Sequence, residues 1–151
     1  MRLLRLIAAL EQEIGELDGE LRQLARADAR LCALQTIWGV GPILACHLLA
    51  EIGDARRFRR ARQLVRAAGL DPVVIESADS RRRGRLSKTG SPQLRWALVE
   101  AAQHACRNGS PDLELYRSVR ERAGAQRATL TAARKIARRC FHTLTTAAEA
   151  A

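Results

Sequence analysis

From Leu3 onward the apolar residues fall at Leu3, Ile7, Leu10, Ile14, Leu17, Leu21, Leu24 and, after a gap at Asp28, Leu31, in alternating steps of four and three. That spacing is a heptad seam and predicts one long helix. Glu11, Glu13, Glu16, Glu20, Arg22 and Arg26 lie between the seam positions, so the other faces are solvated. A helix with one narrow apolar stripe either supercoils against a copy of itself or lies along its own domain, and the pattern leaves both open. Gly15 and Gly19 weaken it by about 1 kcal/mol each.

The pattern then changes. Leu34-Gln35-Thr36-Ile37-Trp38-Gly39-Val40-Gly41-Pro42-Ile43-Leu44-Ala45 leads into an apolar helix through Leu49 and Ile52 and reads as the hairpin of a helix-hairpin-helix element. Its two glycines let the turn pass close to a backbone, and Pro42 suits the first helical position. Arg56 to Arg62 opens a second short helix ending near Ala68-Gly69. Val73-Val74-Ile75 is the one β-branched run; with Gly84-Arg85-Leu86-Ser87 it predicts a small hairpin or extended excursion carrying an arginine-rich tip. Ser91-Pro92 starts a helix that Asn108-Gly109 stops. Ser110-Pro111-Asp112 starts the next, and a last helix covers Arg127 to about Thr146. In this last helix Leu130, Ala133, Ile136, Ala137, Cys140 and Leu144 face inward, with Arg134, Lys135, Arg138 and Arg139 largely outward. The expected fold is mainly α: a coiled-coil-like helical arm over residues 1–33, then a helical domain over 34–151 with the helix-hairpin-helix and one small β excursion.

Charge changes the picture. The chain has 26 Lys+Arg against 16 Asp+Glu, a formal net charge of +10, which favours a polyanionic partner such as DNA. Nearly all of the cations are arginine, which forks onto phosphate oxygens better than lysine does, although a GC-rich genome produces the same bias. Aromatic residues make up only 3%, which argues against a base-stacking platform. The exposed amides at the start of the helix after the hairpin, around Gly39, Val40, Gly41 and Ile43, form a ready site for a backbone phosphate, though such turns are common in proteins that bind nothing. The segment from Glu76 to Arg95 gathers several hydroxyls with Arg81, Arg82, Arg83, Arg85, Lys88 and Arg95. That composition fits phosphodiester chemistry or phosphate binding, and is also ordinary loop material.

Metal and membrane readings find no support in the sequence. Cys32, Cys46, Cys106 and Cys140 have no CxxC spacing, and the pairs His104/Cys106 and Cys140/His142 point to nearly opposite faces of a helix. The cysteines read as small core residues, and no cofactor is expected in this chain. No apolar run reaches membrane-spanning length, and the opening segment is too short for a signal peptide, so a cytoplasmic protein is expected.

Taken in order, Ile37-Trp38-Gly39-Val40-Gly41-Pro42, Ala50-Glu51-Ile52-Gly53-Asp54, Arg57-Phe58, Ala61-Arg62-Gln63-Leu64, Ala68-Gly69-Leu70-Asp71-Pro72, Glu76-Ser77, Arg83 to Ser91, Leu94-Arg95 and Ala133-Arg134-Lys135 carry a specific resemblance. From Leu34 to Leu144 the chain resembles the C-terminal domain of the insertion sequence 110/116/902 transposases, relatives of the Piv/MooV DNA invertases. The resemblance implies DNA recombination at a composite site. There a serine of this domain works with a metal-bound acidic cluster of an N-terminal RuvC-like domain, and an RNA encoded by the element guides target choice. By position that serine is Ser77, with Ala78-Asp79 where the family usually has glycines; Ser80, Ser87 and Ser91 are alternatives, and Ser91 is better explained as a helix cap. Trp38 stands where the family usually has proline. The RuvC-like domain, where Mg2+ is expected, is absent from this sequence, which begins inside what would be the coiled-coil region. The expected function is thus the C-terminal part of a DNA transposase acting with a RuvC-like partner or as a homo-oligomer. A non-catalytic helix-hairpin-helix DNA-binding protein, or a truncated transposase remnant or regulator, is the alternative.

Overall fold

The computed structural model describes residues 1–77 and 80–149, with side chains for all of these except 74–77 and 80–85. The chain is mainly helical: α1 (Arg2–Ala27), α2 (Ala29–Gln35), α3 (Pro42–Ile52), α4 (Ala61–Ala67), α5 (Pro92–Ala102), α6 (Leu113–Ala123) and α7 (Ala125–Glu149). Short 3-10 turns cover Ala55–Arg57 and Gln103–Cys106, and one antiparallel hairpin pairs β1 (Pro72–Ser77) with β2 (Ser80–Leu86).

Helix α7 is the spine of the fold. Its inward stripe of Ala128, Ala132, Ala133, Ile136, Ala137, Cys140 and Leu144 packs against α2, α4, α5 and α6. Alanines on that stripe, and Ala97, Ala101 and Ala102 on α5, let the helix axes come close. Leu31, Leu34, Leu48, Leu64, Leu70, Leu94 and Leu98 fill the remaining space and are fully buried. Helix α3 lies across α1, α2 and α5.

The heptad helix does not continue to Leu31. Asp28 takes extended backbone angles and accepts the Arg30 amide at 2.8 Å, so it ends α1 and caps α2 instead of filling a seam position. The Arg30 side chain completes the turn and holds the Asp28 carboxyl down to about 2. Gln35 ties the two helices together by donating to the Ala25 and Leu31 carbonyls. Leu31 belongs to the core, Leu21 is half-buried, and Leu3, Ile7, Leu10, Ile14, Leu17 and Leu24 are 50% exposed or more.

Other boundaries also shift. The arginine-rich stretch after Asp54 forms a 3-10 turn before α4, because Asp54 accepts the Arg56 amide and Gln63 accepts the amides of Arg59 and Arg60. Helix α5 ends at Ala102 and tightens into a 3-10 turn, ahead of Asn108-Gly109. Ser77 at the end of β1 is paired with Ser80 at the start of β2, so Arg81, Arg82 and Arg83 run along β2 and not around a tip. Of the cysteines only Cys140 is buried, with its thiol pushed up to about 12 by burial; Cys46 is half-buried, and Cys32 and Cys106 are exposed.

Three α7 cations expected to face solvent are engaged elsewhere. Arg134 donates to the Leu70 carbonyl, while Lys135 and Arg139, one turn apart, converge on Asp112 ahead of α6. Asp112 is 2% exposed. Burial alone would raise its carboxyl, but hydrogen bonds from Arg139 and Lys135 outweigh that and hold it below 3.8. A carboxyl depressed in the fold stabilises above its unfolded pKa, near 3.9, and stops doing so as pH falls through the folded value. Asp112→Asn is therefore expected to cost about 1–2 kcal/mol at neutral pH, because it removes two charge-assisted hydrogen bonds while the cations left behind, 43% and 31% exposed, are partly solvated. In urea unfolding followed across pH, the gap between parent and variant should begin to narrow below about pH 4 and go on closing as pH falls through the depressed folded value; a gap independent of pH would remove the ion pair as its cause.

Candidate functional site

The turn between α2 and α3 is built from local rules. Thr36 and Ile37 continue the last turn of α2 through bonds to Ala33 and Leu34, and Val40 donates its amide to the Ile37 carbonyl at 3.0 Å. The Val40 amide, expected among the phosphate donors, is thus engaged inside the turn. Gly41 is extended and caps α3, Pro42 occupies the first helical position, and Ala45 donates to the Gly41 carbonyl. Among the described residues, the donors left facing outward at this helix start are the amides of Gly41, Ile43 and Leu44. They line a groove of about 570 Å³ together with Arg22, Trp38 and His104.

The two glycines of the turn have different reasons to be there. Gly39 sits at φ +86, and a Cβ on it would lie 2.3 Å from the Ala101 carbonyl oxygen, so the turn passes against the end of α5. Trp38 fastens that contact: its indole Nε1 donates to the His104 carbonyl at 3.1 Å and its ring lies beside Gly109. Gly41, by contrast, has φ −85, and a Cβ there would meet nothing within 4 Å. The fold does not require glycine at 41; its effect is to leave open the approach to the α3 amides.

Of the second candidate cluster, the side chains of Ser77, Arg81, Arg82, Arg83 and Arg85 lie outside the described residues. Their backbone is placed by the hairpin: Ser77 ends β1 opposite Ser80, and Glu76, Ile75 and Val74 pair with Arg81, Arg82 and Arg83. Lys88 is exposed at φ +53, an unusual left-handed position for a residue with a side chain. Arg95 turns inward, where Nη1 donates to the Ala68 carbonyl at 3.2 Å, so part of its binding capacity serves the fold.

The root of the hairpin is heavily braced. Arg134 Nε donates to the Leu70 carbonyl at 2.7 Å; burial, together with nearby Arg138, lowers the guanidinium below its usual pKa although Asp71 opposes this. Ser87 Oγ donates to Asp71 Oδ1 at 2.6 Å, and the Ser87 amide donates to the Asp71 carbonyl. Ser91 caps α5 by accepting the Leu94 amide, and its hydroxyl donates to Glu51 Oε2 at 2.6 Å. Glu51, Asp71 and Arg134 were not singled out as site residues from sequence. Each lay inside a motif that carries the family resemblance, which was the available signal.

The turn and the hairpin therefore stand on one scaffold, joined through α3 and α5. Among the described residues no group of three or more His, Cys, Asp or Glu comes together to hold a metal, and no helix is long and apolar enough to cross a membrane.

Comparison with known proteins gives the same segment a context. Residues 32–117 match the model of the Transposase IS116/IS110/IS902 family. A probable family 20 transposase of Pseudomonas aeruginosa is 36% identical over 67% of this chain and 30% of its own length. The transposase for insertion sequence element IS1111A of Coxiella burnetii is 32% identical over 83% of this chain and 35% of its own length. An uncharacterized 44.8 kDa protein of insertion element IS116 in Streptomyces clavuligerus is 31% identical over 73% and 28%. The chain thus spans about a third of the length of these curated relatives.

The contrast between the glycines is directly testable. Gly39→Ala places a Cβ in the Ala101 carbonyl at a positive φ and is expected to cost roughly 2 kcal/mol or more. Gly41→Ala, in open space at an ordinary φ, is expected to leave the thermal midpoint within the range of a neutral surface change, about 0.5 kcal/mol. Equal losses in the two variants, read by circular dichroism melting, would show that the turn needs both glycines for folding.

Proposed function

Because the chain belongs to the IS116/IS110/IS902 transposase family, we propose that it is the C-terminal part of a DNA transposase, one that binds nucleic acid and contributes Ser77 as nucleophile to a site completed by a RuvC-like domain. The observation that carries this reading is the position of Ser77 at the end of β1, opposite Ser80, with Arg81, Arg82 and Arg83 following along β2. In the step assigned to it, the Ser77 hydroxyl gives up its proton to solvent as its oxygen bonds to phosphorus, the scissile phosphorus–oxygen bond breaks, and the deoxyribose oxygen leaves and takes up a proton, so no proton is gained or lost overall. Guanidinium groups close to the phosphate would offset the charge that builds on its oxygens.

The described residues do not fit a metal site, since their acidic side chains form no cluster. From the family resemblance, Mg2+ is assigned to the RuvC-like domain. Helices α2 and α3 with their turn are assigned as a helix-hairpin-helix, in which the amides of Gly41 and Ile43 receive a backbone phosphate. The open space at Gly41 supports this assignment. The basic surface would equally serve a guide RNA. A non-catalytic DNA-binding regulator is the second reading, favoured by the fact that the α3 amides and the open approach at Gly41 are independent of Ser77.

Joined to an intact RuvC-like domain, the protein is expected to form a covalent protein–DNA adduct that disappears in Ser77→Ala and persists in Ser91→Ala. An adduct surviving Ser77→Ala means that another serine is the nucleophile. No adduct in any form, with DNA binding intact, favours the regulator.

Self-association through α1 belongs to the same proposal, since Leu3, Leu10 and Leu17 on its seam are 75%, 54% and 57% exposed. Leu17→Asp should convert a dimer into a monomer in sedimentation at roughly tens of micromolar, by burying a charge in the seam. A parent protein already monomeric at that concentration would rule out pairing of this strength.

A further inference from the structure

We propose that the groove between α4 and the root of the β-hairpin is a second binding site for a nucleic-acid strand, held through its phosphodiester backbone by Arg62 and Arg66. This inference rests on the nucleic-acid-binding reading and adds to it a location that neither the turn nor the hairpin includes.

The groove has a volume of about 400 Å³ and is lined by Arg62, Gln63, Arg66 and Asp71. Arg62 and Arg66 stand one helical turn apart on α4, with Cβ atoms about 6 Å apart, and both are exposed. Among the described residues neither guanidinium has an acidic partner, unlike Arg22, Arg30, Arg56 and Arg139. Gln63 adds to the same polarity, because its Oε1 already accepts the amides of Arg59 and Arg60 and leaves the NH2 as its remaining group. Three of the four lining side chains therefore offer donors.

Asp71 is the exception, and its surroundings limit its effect. Oδ1 accepts the Ser87 hydroxyl at 2.6 Å, and Arg134, fixed on the Leu70 carbonyl, lies close enough to act on the Asp71 charge. Counting Arg134 against Asp71, the groove keeps the two charges of Arg62 and Arg66. A donor-rich groove with excess positive charge fits an acceptor-only anion, and a phosphodiester strand presents such groups in series. DNA and RNA share that chemistry, so the test has an arm for each.

The experiment is a salt titration of binding, by fluorescence anisotropy, with the full chain and either a duplex DNA or a structured RNA probe. Arg62→Gln/Arg66→Gln is compared with Arg117→Gln/Arg120→Gln, which removes the same charge from exposed positions on α6. For duplex DNA, loss of two phosphate contacts should reduce the slope of log affinity against log salt by about 1.8, while the α6 variant keeps the parent slope. A reduction with only one of the probes identifies the strand that occupies the groove. Asp71→Asn, which keeps an acceptor for Ser87, should tighten binding severalfold. If the parent binds with salt dependence but the α4 and α6 variants behave alike, the groove is not a site and the proposed function stands. If the parent binds neither probe, both readings fall.

Discussion

Two stretches of backbone meet without any side chain between them where Gly90 lies against the end of α4, and the placement of the β-hairpin depends on that contact. A Cβ at Gly90 would sit 1.9 Å from the Ala67 carbonyl oxygen and 2.6 Å from the Gly69 nitrogen. The closeness lets the Ser91 amide donate to the Ala67 carbonyl at 2.8 Å and the Lys88 amide to the Gly69 carbonyl, so the strand returning from the hairpin is tied to the helix that precedes it. Arg95 from α5 and Arg134 from α7 then engage the Ala68 and Leu70 carbonyls. Carbonyls at a helix end need partners; Arg95 supplies one at the C-cap Ala68, and Arg134 binds the carbonyl of Leu70 just beyond it.

This arrangement separates the chain's positive charge into two populations. Some arginines are structural: Arg139 is held by Asp112, Arg134 and Arg95 by backbone carbonyls, and Arg57 lies over the Phe58 ring. Others, such as Arg59, Arg60, Arg62, Arg66 and Arg138, stand exposed with no acid paired to them among the described residues. Net charge alone does not distinguish the two kinds, yet the second keeps its guanidinium donors free among the described residues and the first does not.

What could be read from sequence follows the range of the interactions involved. Pro42 and Ser91-Pro92 announce helix starts through neighbouring atoms, and both helices begin there. The apolar period of α7 likewise shows its buried face over many turns. Arg139 was read as solvent-facing because its partner Asp112 lies 27 residues away, and a cation on an amphipathic helix carries no mark of a distant acid. Arg81 to Arg83 read as a loop tip because arginine is a poor β signal; pairing with Glu76, Ile75 and Val74 draws them into a strand. At the turn, glycine spacing located the bend before α3 but not the difference between a glycine that the fold needs and one that it does not.

Helix α1 is a rod with a defined length. Its 26 residues extend about 39 Å, and only the end near Ala25 is packed into the domain. If two such rods pair antiparallel, the domains stand at opposite ends of the pair. If they pair parallel, the domains are neighbours. The direction of pairing along α1, more than any change in the domain itself, would then set the separation of the two domains.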